Sequence, residues 1–331
     1  MEFMDSYIGK YIVQSVFHSL VALLMVEMSL RIWQTESASE RFMYRLQVII
    51  LPFIMYPVFQ LINPARGSLY FVEDSAFFSS MRWLRLDLFG QVPFYFLFLA
   101  VLLAVSVLVV VQEVVPVVKH SLDKNGEFPG TPASPEVKGM VEEMSTAMNI
   151  DNPSVFLLDK TTPVIYTTGT KSHSIVISRG LVRVFDERQL RSALAHELAH
   201  IVRRSNITTL LVFLVRICMF YNPVSLLEFR RIVQDDEHIC DDITISVTRD
   251  PKALAAALKV FYAGPGRKSG GGEHVSVSAL SDSIERSSHD LLLKERIARL
   301  ENSDNLEYQQ PGWGRYLLTL GAIVVVNYYV V

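Results

Sequence analysis

His196-Glu197-Leu198-Ala199-His200 restricts this chain more than any other five residues. Side chains four apart on a helix share a face, so the two imidazoles would aim at one point. Two converging imidazoles are half of what a tetrahedral zinc ion takes from its surroundings. Glu197 lies between them, within reach of a proton on water activated at that ion. The flanks predict a helix. Asp186 and Gln189 have the spacing of a capping box, and residues 189–195 are rich in helix formers. The plain alternative is a buried helix that carries two core histidines.

A catalytic zinc takes three protein ligands and leaves its fourth position open. Residues 234–242, Gln-Asp-Asp-Glu-His-Ile-Cys-Asp-Asp, hold the candidates for the third. Glu237 and Asp241 are four apart, so one helical face carries both. That suits Glu237 as the ligand. Asp241 would then accept the free N–H of a ligand histidine and fix its tautomer. His238 is the competing ligand, and Cys240 reads as a small apolar residue. For the run as a whole, a solvated acidic helix end is the alternative. The expected set is one Zn2+ per chain on His196, His200 and Glu237, with Glu197 as catalytic base and Asp241 behind the ligands.

The rest of the chain points to a membrane. Of its 331 residues 50% are hydrophobic, and its mean hydropathy is +0.28. A net charge of −3 gives no case for nucleic acid. Cys218 and Cys240 suggest no disulfide framework. The first seven residues show no basic stretch and no small-residue cleavage site, so no cleaved signal peptide is expected. Apolar residues concentrate in 11–30, 46–62, 92–111 and 316–331. About 20 apolar residues cross a bilayer core. The third stretch reads as the clearest span. In the first, His18 and Glu27 would have to face the bundle or an interface. The second carries Pro52 and Pro57, which predict a kink. Arg31, Arg41 and Arg45, then Lys119, Lys124 and Lys138, place the ends of the first and third stretches on the inside.

A further apolar run, 207–221, separates the two halves of the metal site. One full crossing of about 30 Å would put His200 and Glu237 on opposite sides of the membrane. The run must therefore enter and return, or lie along the surface or in the domain core. Arg216 within it argues against plain lipid exposure, and Asn222-Pro223 marks its turn. Upstream, 124–135 reads as a linker and 136–148 as a helix. Residues 155–158, 164–168 and 174–178 read as strands, the last two joined as a hairpin by 169–173. A free strand edge beside the metal could pair with an extended peptide. Residues 264–283 look like a loop, and 290–300 an amphipathic helix. Tyr166, His289 and Arg296 are candidate donors to an oxyanion.

Ala195–Ile201, Tyr221-Asn222-Pro223 and Glu237-x-x-Cys240-Asp241 together resemble the BlaR/MecR antirepressor type of membrane zinc peptidase. The layout agrees, with three hydrophobic segments before the metal domain and one after it. Residues 142–300 also look like the related HtpX/Oma-type peptidases. The resemblance implies a gluzincin, with ligands at His196, His200 and Glu237, base at Glu197 and a supporting carboxylate at Asp241. Family members often carry Asp where this chain has Asn206. BlaR/MecR sensors continue into a penicillin-binding domain, whereas this chain stops at Val331, so β-lactam sensing is not expected.

The expected fold is a mainly α membrane protein. It has about four transmembrane helices and a zincin-like α+β metalloprotease domain, with a small β-sheet and an HExxH helix. The expected parts are a transmembrane region over 1–118 and a peptidase domain over 119–311. Residues 207–227 of that domain would be membrane-associated, and a last transmembrane helix would cover 312–331. The expected function is a membrane-embedded zinc endopeptidase with protein or peptide substrates, a lipid bilayer around it and no nucleic acid. Its expected place is a bacterial inner membrane, peptidase domain on the cytoplasmic side. The alternatives are an HtpX-like quality-control protease and a non-hydrolytic zinc-binding sensor or scaffold.

Overall fold

The computed structural model describes residues 6–88, 90, 92–111, 130–169, 173–203, 205–263, 293–302 and 312–331. The chain divides into two compact units. The first comprises Met1–Lys124, Thr209–Asp235 and Gln309–Val331; the second comprises Asn125–Thr208 and Asp236–Tyr308. The 264–283 loop, His289, residues 170–172, Lys119, residues 124–129 of the linker and the Asn206 side chain fall outside what is described.

The first unit is helical. Ser6 caps the helix Tyr7–Ile32 by accepting the Gly9 N–H. Ala38–Ile62 packs against it, with Ala22, Val26 and Leu30 meeting Tyr44, Val48, Met55 and Phe59. These two helices are long and apolar enough to cross a membrane. At 1.5 Å per residue they reach about 37–39 Å, against about 30 Å of hydrocarbon. The second helix begins at Ala38, upstream of its apolar run, and continues through Pro52 and Pro57. The third is shorter than expected, Phe94–Val109, because β2 (Val92–Pro93) pairs with β1 (Asp87–Leu88) as a short antiparallel ribbon. The C-terminal helix, Trp313–Tyr328, has 16 residues, about 24 Å by the same rise.

Several buried polar and charged groups of this unit are matched. His18 is fully buried, its Nε2 3.1 Å from the Val330 carbonyl oxygen. Arg66, also fully buried, donates to the carbonyls of Asn327 and Tyr328 and to Gln14. Glu228 and Asp235 are met by Arg45 at 3.2 and 2.9 Å, and Arg41 adds a 3.0 Å bond to Asp235. Arg231 bridges Glu27 and Glu228 at 2.8 Å each. Buried carboxylates are tolerated only with such partners.

The run after the HExxH motif forms the helix Ser205–Cys218. Its 14 residues rise about 21 Å, too little for a crossing. The chain then turns at Tyr221-Asn222. Asn222 Oδ1 accepts the Val224 N–H at 3.0 Å, and its Nδ2 donates to Ser19 at 2.8 Å. The Tyr221 hydroxyl lies 2.9 Å from that of Ser15. Pro223 opens the long helix Pro223–Thr248, where a missing N–H costs nothing.

The second unit carries a mixed sheet in the order β3 (Thr131–Pro132), β4 (Ser154–Leu158), β6 (Ser174–Ser178), β5 (Ile165–Thr168). Thr131–Pro132, expected within a linker, instead pairs antiparallel with Leu157 and Phe156. β4 and β6 are parallel, with Val155 opposite Ile175; β6 and β5 form the antiparallel hairpin, with Ile177 opposite Ile165. β5 is left at an edge. Ile175, Ile177 and Leu181 pack with Val141 and Met144 of the helix Pro135–Ala147 and with Leu194 and Leu198 of Glu187–Arg203. The latter helix starts with the reciprocal box the sequence predicts. Gln189 N–H donates to Asp186 Oδ1 at 2.8 Å, and Asp186 N–H to Gln189 Oε1 at 3.2 Å. Gly180, just after β6, is obligatory for space, since a Cβ there would sit 1.9 Å from the Thr161 carbonyl oxygen.

Candidate metal centre

Two helices of the second unit supply the centre. Glu187–Arg203 presents His196 and His200 from consecutive turns. The part of Pro223–Thr248 beyond Asp235 presents Glu237 and Asp241. His196 Nε2 lies 3.4 Å from Glu237 Oε2, and His200 Nε2 lies 3.7 Å from Glu237 Oε1. One ligand atom from each of the three residues falls within 4.8 Å of the others. Donors about 2.1 Å from a tetrahedral ion stand about 3.4 Å apart, so the two histidine–glutamate distances are close to what a zinc ion requires. The donor set, two imidazoles and a carboxylate, suits the same ion. His238 is buried and takes no part in this group or in the second group of possible ligands among the described residues, His200, Asp236 and Cys240.

The backs of the two histidines differ. His196 Nδ1 lies 3.3 Å from Asp241 Oδ1, an ion-pair distance whose angle falls short of a straight hydrogen bond. His200 Nδ1 faces the Cys240 sulfur at 3.3 Å. Cys240 is therefore more than apolar filling: it backs a candidate ligand. Burial pushes its thiol well above the ordinary range, with neighbouring carboxylates acting in the same direction.

Arg296, on the helix over 293–302, closes the back of the site. Its Nε and Nη2 donate to the two Asp241 oxygens at 2.9 and 2.7 Å, and its Nη1 donates to Glu237 Oε2 at 2.6 Å. That engagement takes it away from the oxyanion role considered for it. Burial works against charge on Asp241, but Arg296 and His196 outweigh it and bring its pKa down to about 2. Glu237 is held well below the usual carboxylate range against the same burial, chiefly by Arg296 and His196. Burial also disfavours the His196 imidazolium, yet Asp241 and Glu237 lift it to about 9. The other acids of the run are paired and buried rather than solvated. Asp236 receives Arg203 at 2.8 Å, and Asp242 receives Arg299 at 2.6 Å.

Glu197 faces the same cavity as the three metal-site residues. The Thr167 hydroxyl, on edge strand β5, sits 2.8 Å from its carboxylate and 3.2 Å from its carbonyl oxygen. Thr167, Cys240 and the bridging position of Arg296 are absent from the sequence-based site. Thr167 left no signal there, because its partner is thirty residues away on another element. Tyr166, the neighbouring oxyanion candidate, is partly exposed on β5.

The BlaR1 peptidase M56 family profile matches residues 82–259, more than half of the 331-residue chain. The chain belongs to the BlaR1 peptidase M56 family. It is also similar to curated proteins named protease HtpX homolog from Burkholderia thailandensis and Burkholderia mallei. Each is 36% identical over 73 residues, covering 22% of this chain and 26% of the relative. The chain thus spans about a quarter of the length of these curated relatives. The solved structure of S. mikatae Ste24p aligns over 83% of this chain and 65% of its own at 13% identity, with a TM-score of 0.24.

Proposed function

We propose that this protein is a membrane-embedded zinc endopeptidase, one ion per chain on His196, His200 and Glu237. The observation that carries the reading is the convergence of those three donors, within 4.8 Å of one another, on the cavity that Glu197 faces. Zinc, when bound, supplies an activated water and polarises the scissile carbonyl. Glu197 takes the proton from the attacking water and passes it to the leaving amine. Thr167 holds the Glu197 carboxylate by its hydroxyl. Asp241 and Cys240 hold the Nδ1 sides of His196 and His200, so that both Nε2 lone pairs face the centre. Edge strand β5 offers backbone groups for an extended peptide.

The two long apolar helices support a setting in a bilayer. The proposed division is a transmembrane region over 1–118, a peptidase domain over 119–311 with 207–227 at the membrane, and a last helix over 312–331. The proposed location is the bacterial inner membrane with the peptidase on the cytoplasmic side, as the arginine and lysine bias indicates. The substrates are membrane-associated or regulatory proteins. The likeness to HtpX homologs favours one second reading, quality control of membrane proteins. Trapping partners on Glu197→Gln separates the two: one dominant partner marks a regulator, many unrelated membrane proteins mark quality control.

The deciding experiment compares detergent-purified wild type with Glu197→Gln for metal content and for cleavage of casein or of itself. About one zinc per chain in both, with cleavage in wild type alone, is expected. Zinc in both without cleavage in either would favour a zinc-binding sensor or scaffold. Absence of zinc from both would refute the reading.

A further inference from the structure

The second group of possible ligands shares His200 with the first. One donor atom from each of His200, Asp236 and Cys240 lies within 4.8 Å of the others. Asp236 and Cys240 are four apart on Pro223–Thr248, so one helical face carries both. His200 joins them from Glu187–Arg203 through the ring nitrogen that looks away from Glu237. Its Nε2 is 3.7 Å from Glu237 Oε1, whereas its Nδ1 is 3.3 Å from the Cys240 sulfur. Around a tetrahedral ion, a nitrogen at about 2.1 Å and a sulfur at about 2.3 Å stand about 3.6 Å apart. Cys240 and Asp236 are both buried, so the group is built into the protein and is not a surface cluster. Asp236 already draws a cation, since Arg203 approaches it to 2.8 Å.

We propose that His200 Nδ1, Cys240 and Asp236 form a second, inhibitory site for a thiophilic metal ion, which competes with the first centre for His200. The proposal rests on the zinc reading above, through the tautomer of that histidine. A sulfur, an imidazole and a carboxylate suit cadmium or zinc in excess, and do not suit calcium or magnesium, which take oxygen ligands. A neutral imidazole has one ring proton and one ring lone pair. When Nε2 serves the first centre, the proton sits on Nδ1 and points at the sulfur. An ion at the second site takes the Nδ1 lone pair, so the ring proton passes to Nε2. The thiol proton leaves to solvent as the sulfur–metal bond forms. One divalent ion enters and one proton departs. His200 Nε2, now an N–H, has no lone pair for the first centre, which is left with His196 and Glu237.

Cadmium tests this on detergent-purified full-length protein carrying Cys218→Ser, in which Cys240 is the one remaining thiol. Metal-free protein is titrated while the thiolate-to-cadmium absorption in the ultraviolet is followed. A band that saturates at one thiolate per chain is expected, and Cys240→Ser should abolish it. Asp236→Asn, which keeps the thiol, should weaken cadmium binding about tenfold or more. Arg203→Gln removes the competing cation and should tighten it about tenfold. His196→Gln disables the first centre and should keep the band. In zinc-loaded protein, zinc released to a chromophoric chelator should rise with the band, and Cys240→Ser should need about tenfold more cadmium for the same release. Absence of the band from wild type would overturn the proposal, as would its loss in His196→Gln. So would cadmium affinity that neither Asp236→Asn nor Arg203→Gln moves, or zinc release as easy in Cys240→Ser as in wild type. A band in wild-type protein that never holds zinc would refute the peptidase reading and still support the second site.

Discussion

Arg296→Met tests the electrostatics at the back of the centre. The substitution keeps most of the apolar stem and removes the cation. Asp241, with no exposure, would lose two charge-assisted hydrogen bonds and Glu237 one. Only His196 would remain to face both carboxylates. Removing one partner of a buried ion pair costs about 3–5 kcal/mol, because the remaining charge is stranded away from water. For a folding unit of 150–250 residues each kcal/mol moves Tm by about 2–4 °C, so metal-free protein should melt roughly 6–20 °C lower. Zinc should recover part of the loss, since it supplies Glu237 with a new cation. The double variant Arg296→Met/Asp241→Leu removes the charge with its partner and should melt above the single variant. Differential scanning fluorimetry of dialysed and zinc-loaded protein reads all of this. A single-variant shift under about 3 °C, or a double variant no better than the single, would refute the argument that Arg296 neutralises this site.

Three further outcomes follow from the same geometry. Thr167→Val should lower kcat about tenfold with KM nearly unchanged, through loss of a hydrogen bond to a charged group, and Thr167→Ser should restore it; an unchanged kcat would remove Thr167 from the positioning of Glu197. In metal-free protein His196 is lifted from 6.5 to about 9, so its contribution to stability is complete below pH 6.5 and is lost as pH rises through 9. Tm should therefore fall over that interval, and a His196→Gln profile as steep as wild type would contradict the assignment. Gly180→Ala would place its Cβ against the fixed Thr161 carbonyl and should cost roughly 1–3 kcal/mol, read as a lower Tm.

What the sequence makes legible is local. His196, Glu197 and His200 lie within five consecutive residues, and Asp186 with Gln189 announces the start of their helix three residues apart. Glu237 and Asp241 share a face by the same spacing rule. The β5–β6 hairpin follows from two β-branched runs and a glycine between them, and Gly169 does adopt a positive φ of 95°. What escapes is set by packing between distant segments. β6 lies between β4 and β5, parallel to one and antiparallel to the other, and strand order in the sequence does not reveal that. Arg296 reaches Asp241 across fifty-five residues, and amphipathic spacing cannot say which carboxylates it meets. Cys240 looks apolar in isolation; only the approach of two helices puts its sulfur beside His200. Length misled in the N-terminal half. Hydropathy over 92–111 ignores the ribbon that delays its helix to Phe94, and the polar start of Ala38–Ile62 hides how far that helix extends.

The edge strand β5 has only four residues, Ile165 to Thr168. It measures about 13 Å from end to end. A ruler of that length can grip about four residues of a guest chain, too few for sequence alone to identify one protein among thousands. On the proposed reading, selection must then rest on which segments are already drawn out straight when they arrive. Tightly folded proteins would pass untouched, and frayed loops, tails and unravelled domains would be cut.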